Sequence, residues 1–248
     1  MYPISLIVPL YRSYHILEKF LQHLEFETKT EYEVIIVDNS AETGTAKNIV
    51  NKFNNLKKRV TVYEEEENLF YTKSINKIVK QHFGEVNCSK FCILNPDCYP
   101  LEKDWLTKFL NIWDIISSKN VNLSTLGSLH FKDWQKEELR HAGCVFKNLN
   151  LRKFPSDWEH LTRIPNDYAT IEICGEIRKI WSVQGNTGTG IIVDYLKFKE
   201  LGCFDEVHYP HYSSDSDFCR KSLELGFEHL CCDIEFYHKS RESSLLVN

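Results

Sequence analysis

Residues 93–100, "ILNPDCYP", contain the first side chains that could do chemistry. An apolar run ends at Asn95, and Asp97 follows two residues later. Amide and carboxylate oxygens are hard ligands, and Mg²⁺ or Mn²⁺ commonly binds one or two carboxylates together with substrate phosphates. The same residues also fit an Asx-turn that only terminates a strand. The segment alone therefore leaves a metal site and a structural turn as alternatives.

A second acidic pair opens the segment "SSDSDFCRKSLELGFEH". This segment predicts a helix that begins near Ser214 and stops at Gly226. Asp215 and Asp217 lie in its first turn, where capping and the helix dipole favour carboxylates, and capping explains one of them without any function. A carboxylate at a helix start beside the glycine-rich "GNTGTG" could instead act as a general base on a hydroxyl group.

Two further polar residues follow predicted strands. Asp38 ends "VIIVD" and could cap the next turn or accept hydrogen bonds from a ribose or nucleobase. His238, in "FYHKSRES", follows an apolar run. A neutral imidazole is a good ligand for Mn²⁺ or similar ions, although a single histidine is more often packed or solvated. Neither residue decides its role by itself.

Three common motifs are missing from the sequence. The first strand is followed by "PLYRSYH" and not by G-x-G-x-x-G, which argues against a dinucleotide-binding fold. The sequence contains no G-x-x-x-x-G-K-[ST], so a P-loop nucleotidase is disfavoured. It contains no G-x-S-x-G, which removes the commonest serine hydrolase.

The first half of the chain alternates predicted strands and helices. Strands are predicted at 4–10, 32–40, 59–66 and 89–97, and helices at 14–26, 45–53, 70–83 and 101–116. Four such units predict an α/β fold with a mostly parallel central sheet flanked by helices. Ligands of such sheets bind beyond the carboxyl ends of the strands, where Pro9, Asp38 and Asp97 all lie.

The second half is less regular. Strands are predicted at 123–131, 141–146 and 230–238, whereas residues 147–182 are predicted to be irregular. The segment "GNTGTGIIVDYLKFKELGCFDE" predicts a glycine-rich turn, a short strand, a helix and another turn. The chain shows no internal repeat and no linker of low complexity. We therefore expect a single domain over residues 1–248.

Composition narrows the function classes. The 248 residues carry a net charge of −5 with no basic stripe, which argues against nucleic-acid binding. Nine cysteines without a C-x-x-C pair predict reduced thiols in a cytoplasmic protein. A zinc site of His82, Cys88, Cys92 and Cys98 matches no common spacing. No apolar stretch approaches ~18 residues, so we expect a soluble protein that could still dock peripherally on a membrane.

Taken in order, these segments resemble the GT-A glycosyltransferases, specifically the inverting family 2. The resemblance covers residues 4–118 and about 183–240. The matching segments are "SLIVPLYRSYHILEKFLQHL", "VIIVDNSAETGT", "ENLFYTKSINKIV", "ILNPDCYPLEKDWL", "GTGIIVDYLKFKELGCFDE", "YSSDSDFCRKSLELGF" and "FYHKSRES". The roles that the resemblance implies are catalytic base for Asp215 with Asp217 in reserve; nucleotide binding for Pro9, Tyr11, Asp38, Asn68, Lys73 and Asn95, with Asn76 near the donor; and metal binding for Asp97 and His238.

Three positions depart from the family pattern. Asn95 stands in place of the first acid of D-x-D, a form common in rhamnosyltransferase-like members. Ser214 replaces the glutamate of E-D-x-D, and Phe70 stands where the family generally has glycine. The resemblance therefore leaves metal binding to Asp97 and His238, and it implies an altered donor pocket.

The resemblance implies transfer of a sugar from dTDP-rhamnose or a UDP-sugar to a hydroxyl of a glycan or lipid-linked acceptor, with inversion and with Mg²⁺ or Mn²⁺ as cofactor. Residues 1–118 are the expected nucleotide-sugar-binding half. Residues 119–248 are the expected acceptor and catalytic-base half, in which residues 147–182 face the acceptor or a membrane. Two rivals remain: a catalytically inactive scaffold subunit and a nucleotidyltransferase, although the latter's glycine- and lysine-rich loop is absent.

Overall fold

The computed structural model describes residues 2–27, 29–56, 58–83, 89–147 and 158–239. The strands are β1 Ser5–Leu10, β2 Glu33–Asp38, β3 Val60–Glu64, β4 Lys90–Ile93, β5 Cys98–Pro100, β6 Leu123–Phe131, β7 Leu139–His141, β8 Cys144–Phe146, β9 Trp158–His160, β10 Ala169–Ile173, β11 Glu176–Val183, β12 Ile191–Asp194 and β13 Glu228–His238. The helices are α1 Tyr14–Leu24, α2 Thr45–Val50, α3 Phe70–His82, α4 Trp105–Ser118, α5 Tyr195–Glu200 and α6 Ser214–Glu224.

One large mixed sheet forms the centre of the structure. Its strand order is β10-β11-β13-β6-β12-β4-β1-β2-β3, with β5 paired to β13 and β7 paired to β6. Along the main path β11 and β12 run against the direction shared by the other strands. The predicted α/β fold with a mostly parallel sheet between helices is therefore confirmed.

The central strands are buried on both faces, as their continuous apolar runs predict. In β1, Leu6 and Val8 pack on one side of the sheet while Ile7 packs on the other. Helices α1 and α4 cover the first side, and α3, α5 and α6 cover the second. Because successive residues of a strand point to opposite faces, this alternation holds two helix layers against a single sheet.

The sequence prediction for residues 147–182 was wrong in part. The segment contains β9, and β10 and β11 form a hairpin that extends the sheet through β13. The hairpin was missed because its edge strand is mostly exposed and because its turn places Cys174, an unusual turn residue, at φ 53° before Gly175. Residues 148–157 lie outside the described part.

The strand predicted at 141–146 is also corrected. The predicted strand is divided into β7 and β8 by a turn at Gly143, which has φ +96°. A Cβ there would lie 2.2 Å from a methyl carbon of Val183, so both the conformation and the space require glycine.

The structure also bears on the cysteines and on membrane-spanning segments. The described cysteines form no disulfides, and Cys88 of the weighed zinc quartet lies outside the described residues. Among the described helices, none combines the length and the apolar composition needed to cross a bilayer.

Candidate active site at the carboxyl ends of the central strands

A cleft of about 520 Å³ opens where β1 and β4 end and α6 begins. It is lined by many of the residues that the sequence singled out: Pro9, Tyr11, Asn68, Asn95, Asp97, Asp215 and His238. These residues come from five separate segments of the chain. The fold therefore brings most of the predicted site together at the sheet edge where ligands of such folds bind.

The turn that carries Asp97 is fixed from both sides. Asn95 N–H donates to Thr189 Oγ1 at 2.8 Å, and Cys98 N–H donates back to the Asn95 carbonyl at 3.0 Å. Next, β5 pairs with the end of β13, which sets Cys98 opposite His238. As a result, His238 Nε2 lies 3.7 Å from Asp97 Oδ1. Two residues 141 positions apart in sequence thus meet because a short strand begins beside the end of a long one.

This pair and Asn95 suit a divalent cation. The Asn95 Oδ1 and His238 Nδ1 atoms are buried and have no hydrogen-bond partner among the described residues. Burial lowers the pKa of His238 to about 4, against the opposing influence of Asp97, so the imidazole is neutral near pH 7. Neutral imidazole and carboxylate or amide oxygens are ligands that Mn²⁺ accepts. A cation bound at Asn95 Oδ1 would satisfy a buried polar atom that is otherwise left unpaired.

Asp215 also lines the cleft, at the start of α6. Its Oδ2 atom accepts a hydrogen bond from Gly188 N–H at 2.8 Å, and its Oδ1 atom accepts one from Ser216 N–H at 2.9 Å. Burial raises the pKa of this carboxyl above its ordinary value, while the two backbone donors oppose the rise. The side chain is oriented and partly desolvated, as a general base needs to be.

The loop that holds Asp215 depends on a glycine. The Tyr71 hydroxyl donates to the Gly188 carbonyl. A Cβ at Gly188 would lie 2.4 Å from that hydroxyl oxygen and 3.3 Å from Asp215 Oδ2. The close approach of helix α3, this loop and helix α6 therefore leaves no room for a side chain at position 188.

Asp217, the reserve candidate for the base, occupies a different environment. It is buried, and its carboxylate forms ion pairs with Arg220 at 2.8 Å and Lys221 at 2.6 Å. It is not among the described residues that line the cleft. Of the two carboxylates, Asp215 is the one that faces the cleft.

Three other predicted nucleotide-site residues make contacts outside the cleft lining. Asp38 is buried, accepts from the Tyr14 hydroxyl at 2.9 Å and from Ser40 N–H at 3.1 Å, and has its pKa raised by burial. Lys73 is exposed and lies 3.6 Å from a carboxylate oxygen of Glu67. Asn76 is buried and binds both backbone polar groups of Phe204 at 2.8 and 3.1 Å.

Asn68 and Phe70 shape the start of α3 at the cleft. The Asn68 Oδ1 atom accepts a hydrogen bond from Phe70 N–H at 2.8 Å. Phe70 has φ +59°, a left-handed conformation in which a side chain is disfavoured. This explains why glycine suits this position and why phenylalanine there is a structural departure. The Phe70 ring lies at the cleft and contacts the His211 ring at a centroid distance of 4.6 Å.

Sequence reasoning missed a row of histidines along the cleft. The rings of His238 and His130, of His130 and His141, and of His141 and His160 have centroid separations of 5.2, 5.2 and 5.1 Å. Arg140, Trp158 and Thr187 also line the cleft. The histidines are dispersed over more than 100 positions, so no local spacing could have shown that they form one row.

Comparison with known proteins gives the affiliation. The family model described as Glycosyl transferase family 2 matches residues 5–140, more than half of the chain. A search of curated proteins gave no match.

Solved structures match over nearly the whole chain. One is the mannosyltransferase PcManGT from Pyrobaculum calidifontis in complex with GDP-Man and Mn²⁺, with a TM-score of 0.63 and 14% identity over 98% of this chain and 58% of that one. Another is GalNAc-T7 with UDP, GalNAc and Mn²⁺, with a TM-score of 0.68 and 12% identity over 96% of this chain and 44% of that one. At these identities they show a shared GT-A fold. With that fold and the family match, the chain belongs to glycosyl transferase family 2.

Proposed function

We propose that the protein is an inverting glycosyltransferase that moves a sugar from a nucleoside-diphosphate sugar to a hydroxyl of a glycan or lipid-linked acceptor. The observation that carries the proposal is the meeting, in one cleft, of Asp97 and His238 with Asp215. The first two supply ligands for a cation beside a diphosphate, and the third supplies a base. Family membership and the two solved structures with nucleotide-derived ligands and Mn²⁺ support glycosyl transfer as the reaction class.

Asp97, His238 and Asn95 would hold the Mg²⁺ or Mn²⁺ ion. When bound, such an ion neutralises negative charge on the departing nucleoside diphosphate. The strand ends keep these three side chains in place, and burial keeps His238 in the neutral, ligating form.

Asp215 accepts the proton of the acceptor hydroxyl in the proposed reaction. The acceptor oxygen forms a bond to the anomeric carbon while the bond from that carbon to the diphosphate oxygen breaks, and the electron pair leaves with the diphosphate. A single displacement of this kind inverts the anomeric centre. The Gly188 and Ser216 amides hold the carboxylate in one orientation, so that its lone pair is positioned for the proton.

The donor half of the proposal rests on residues 1–118. Pro9, Tyr11 and Asn68 line the cleft beside the metal-site turn and would border the nucleotide. Asp38 would act indirectly, by holding the loop after β1 in place. Its carboxylate accepts a hydrogen bond from Ser40 N–H, and the Ser40 hydroxyl accepts one from Arg12 N–H at 2.7 Å. The asparagine at position 95 favours a rhamnosyltransferase-like donor, dTDP-rhamnose, over a UDP-sugar. Lys73 is proposed to reach the donor only by leaving its contact with Glu67.

The acceptor half rests on residues 119–248. Trp158 and Arg140 line the cleft from this half and offer an apolar ring and a positive charge to an acceptor. If the acceptor is lipid-linked, the protein has to meet it at a membrane surface, so peripheral association belongs to this proposal.

A thermal-shift panel of UDP, dTDP, GDP and CDP, each with and without Mn²⁺, tests donor binding. We expect one nucleotide to raise the melting temperature in a metal-dependent way, and we expect Asp97→Asn to abolish the metal dependence. Asp194→Asn is the matched control, because Asp194 lies outside the cleft lining and caps α5. Release of nucleoside diphosphate from the matching sugar nucleotide then tests turnover. Binding without any release, with or without acceptors, would identify an inactive binding subunit instead.

A further inference from the structure

Three side chains on the second half of the chain form a compact nitrogen and sulfur cluster. They are His141, at the end of β7, Cys144, at the start of β8, and His160, at the end of β9. One potential ligand atom from each lies within 4.8 Å of the other two. The cluster shares no residue with the Asp97 and His238 pair. None of these three residues entered the sequence analysis as a candidate for chemistry.

The backbone brings the three together by an identifiable route. Antiparallel pairing of β8 with β9 sets Cys144 directly opposite His160. The left-handed turn at Gly143 then returns His141 to the same side, and Ala142 N–H donates to the Leu161 carbonyl at 2.8 Å. The arrangement is thus built by strand register and not by chance contact of long side chains.

The ligand atoms are spaced as a tetrahedral metal site requires. His141 Nδ1 lies 2.8 Å from His160 Nδ1, and Cys144 Sγ lies 3.5 Å from His160 Nδ1 and 3.8 Å from His141 Nδ1. Tetrahedral zinc with ordinary bond lengths separates two nitrogens by about 3.3 Å and a nitrogen from a sulfur by about 3.6 Å. Shifts of about half an ångström or less would open the triangle around an ion.

The hydrogen bonds of the cluster show what an ion would displace. His141 Nδ1 and His160 Nδ1 face each other at 2.8 Å. Two neutral rings in Nδ1 to Nδ1 contact need one donor and one acceptor. Metal binding would replace that single shared proton and would release the thiol proton of Cys144, whose pKa burial otherwise raises.

Ligand chemistry separates this cluster from the proposed catalytic metal site. A thiolate with two imidazoles is a borderline-soft set that suits Zn²⁺, whereas the oxygen-containing set around Asp97 suits Mg²⁺ or Mn²⁺. We propose that His141, Cys144 and His160 form a second metal site, which binds Zn²⁺ on the wall of the cleft. The fourth coordination position of the ion would be open to a ligand in the cleft, because His141 and His160 both line the cleft.

The ion would clamp the β8–β9 hairpin. This two-stranded sheet is separate from the large sheet, and isolated two-stranded hairpins are marginally stable. Through β9 the ion would also fix Trp158, two residues from His160, where that ring lines the cleft. The proposal stands whether or not the glycosyl-transfer proposal holds, because it concerns metal binding alone.

Cobalt titration of the metal-stripped, reduced protein tests the site directly. We expect one equivalent of Co²⁺ to produce the visible bands of tetrahedral cobalt and a near-ultraviolet thiolate-to-metal band, and Zn²⁺ to bleach both. Cys144→Ser should lose the thiolate band. His160→Ala should weaken binding by at least about 10- to 100-fold, since even outer-shell changes cost that much.

Three controls locate the ion. Cys174→Ser, at an exposed cysteine, and Asp97→Asn should both keep the thiolate band. Cys98→Ser should also keep it. This control is needed because Cys98, His130 and His238 form a second cluster among the described residues that could hold an ion. A band lost in Cys98→Ser but kept in Cys144→Ser would assign the ion there and overturn the proposal. Absence of any thiolate band in the wild-type protein would overturn it as well.

Thermal unfolding supplies a second readout that guards against misfolded variants. Without metal, Cys144→Ser and His160→Ala should melt close to the wild-type protein. With Zn²⁺, we expect the melting temperatures of wild type and Asp97→Asn to rise, and those of the two ligand variants to stay unchanged. A zinc-induced rise in the ligand variants equal to that of wild type would contradict the assignment.

Discussion

The two halves of the chain build their sides of the cleft in different ways. We call the cleft residues before position 119 the first-half wall: Pro9, Leu10, Tyr11, Asn39, Asn68, Phe70, Tyr71, Asn95, Pro96 and Asp97. We call the later ones the second-half wall: His130, Arg140, His141, Trp158, His160, Thr187, Gly188, Thr189, His211, Tyr212, Ser213, Ser214, Asp215 and His238. Most of the first-half wall lies at the ends of parallel strands or just after them. The second-half wall comes from short strands, loops and a helix start.

The difference teaches where chemistry is fixed and where it can vary. In the first half, β1, β2 and β4 each pair with a strand on both sides, and β1 and β2 are almost entirely buried, so their ends have little freedom. Short elements such as β8 and β9 depend on contacts with one another and with loops. Rigid scaffolds carrying variable loops are the common arrangement of binding sites. We therefore expect donor binding to depend on the first-half wall and acceptor binding to depend on the second-half wall.

Asp215→Asn should separate the two walls most clearly. We expect turnover to fall by about 10²- to 10⁴-fold, the usual contribution of a general base, with the nucleotide-induced thermal shift unchanged. Steady-state kinetics and the thermal-shift assay measure both. Unchanged turnover would remove the base role from Asp215.

Asp217→Asn is the matched control for that variant. Its partners Arg220 and Lys221 are only partly exposed, with side-chain exposures of 17% and 34%. Loss of both ion pairs should lower the free energy of unfolding by about 2 kcal/mol, between the values for surface and buried pairs. Turnover per folded molecule should stay within a few-fold of wild type. A larger loss of turnover than in Asp215→Asn would transfer the base role to Asp217.

Gly188→Ala tests the contact between the walls. The added Cβ would meet the Tyr71 hydroxyl and crowd Asp215, so we expect a loss of about 1–3 kcal/mol in the free energy of unfolding together with reduced turnover. Tyr71→Phe removes the hydroxyl, so the double variant should recover part of the stability. Chemical denaturation of the four proteins gives the coupling energy, and simple additivity would show that the two walls do not meet there.

The pH dependence of turnover should follow the environment of Asp215. Since burial raises the pKa of this carboxyl, protonation inactivates the base at a higher pH than for an exposed aspartate. Turnover should therefore fall on the acid side through a midpoint above the ordinary aspartate pKa, while nucleotide binding changes less over the same range. A profile of kcat from pH 4 to 8 measures this midpoint. A midpoint at the ordinary aspartate pKa would contradict the prediction that Asp215 is desolvated.

Substitutions of Phe70 should have the smallest effect on stability, and they test backbone strain in the first-half wall. Phe70→Gly and Phe70→Ala both remove the ring, but only glycine relieves the φ of +59°. The glycine variant should therefore be more stable than the alanine variant by about 1 kcal/mol. Denaturant titration measures the difference. Equal stability would mean that the left-handed conformation is not kept.

Local sequence predicted much of the fold. The apolar runs of β1, β2 and β4 and the helical spacing in α1 and α4 were read correctly because each is a short-range pattern created by burial. The β10–β11 hairpin was missed because an exposed edge strand shows no such pattern. The sequence also pointed to Asp97, because the apolar run of β4 is followed by polar residues where the strand ends.

Only the tertiary structure decided which side chains face the cleft and which residues distant in sequence meet there. On a helix, Asp215 and Asp217 point about 200° apart, so at most one can face the cleft. The docking of α6 turns Asp215 toward it and Asp217 toward Arg220 and Lys221. Likewise His130, His141, His160 and His238 form one row only because β6, β7, β9 and β13 end at the same place. The sequence by itself determined that Asp97, Asp215 and His238 could do chemistry, because residue type and the end of an apolar run or start of a helix are local properties. Their partners were set by strand register and helix docking, which depend on the whole fold.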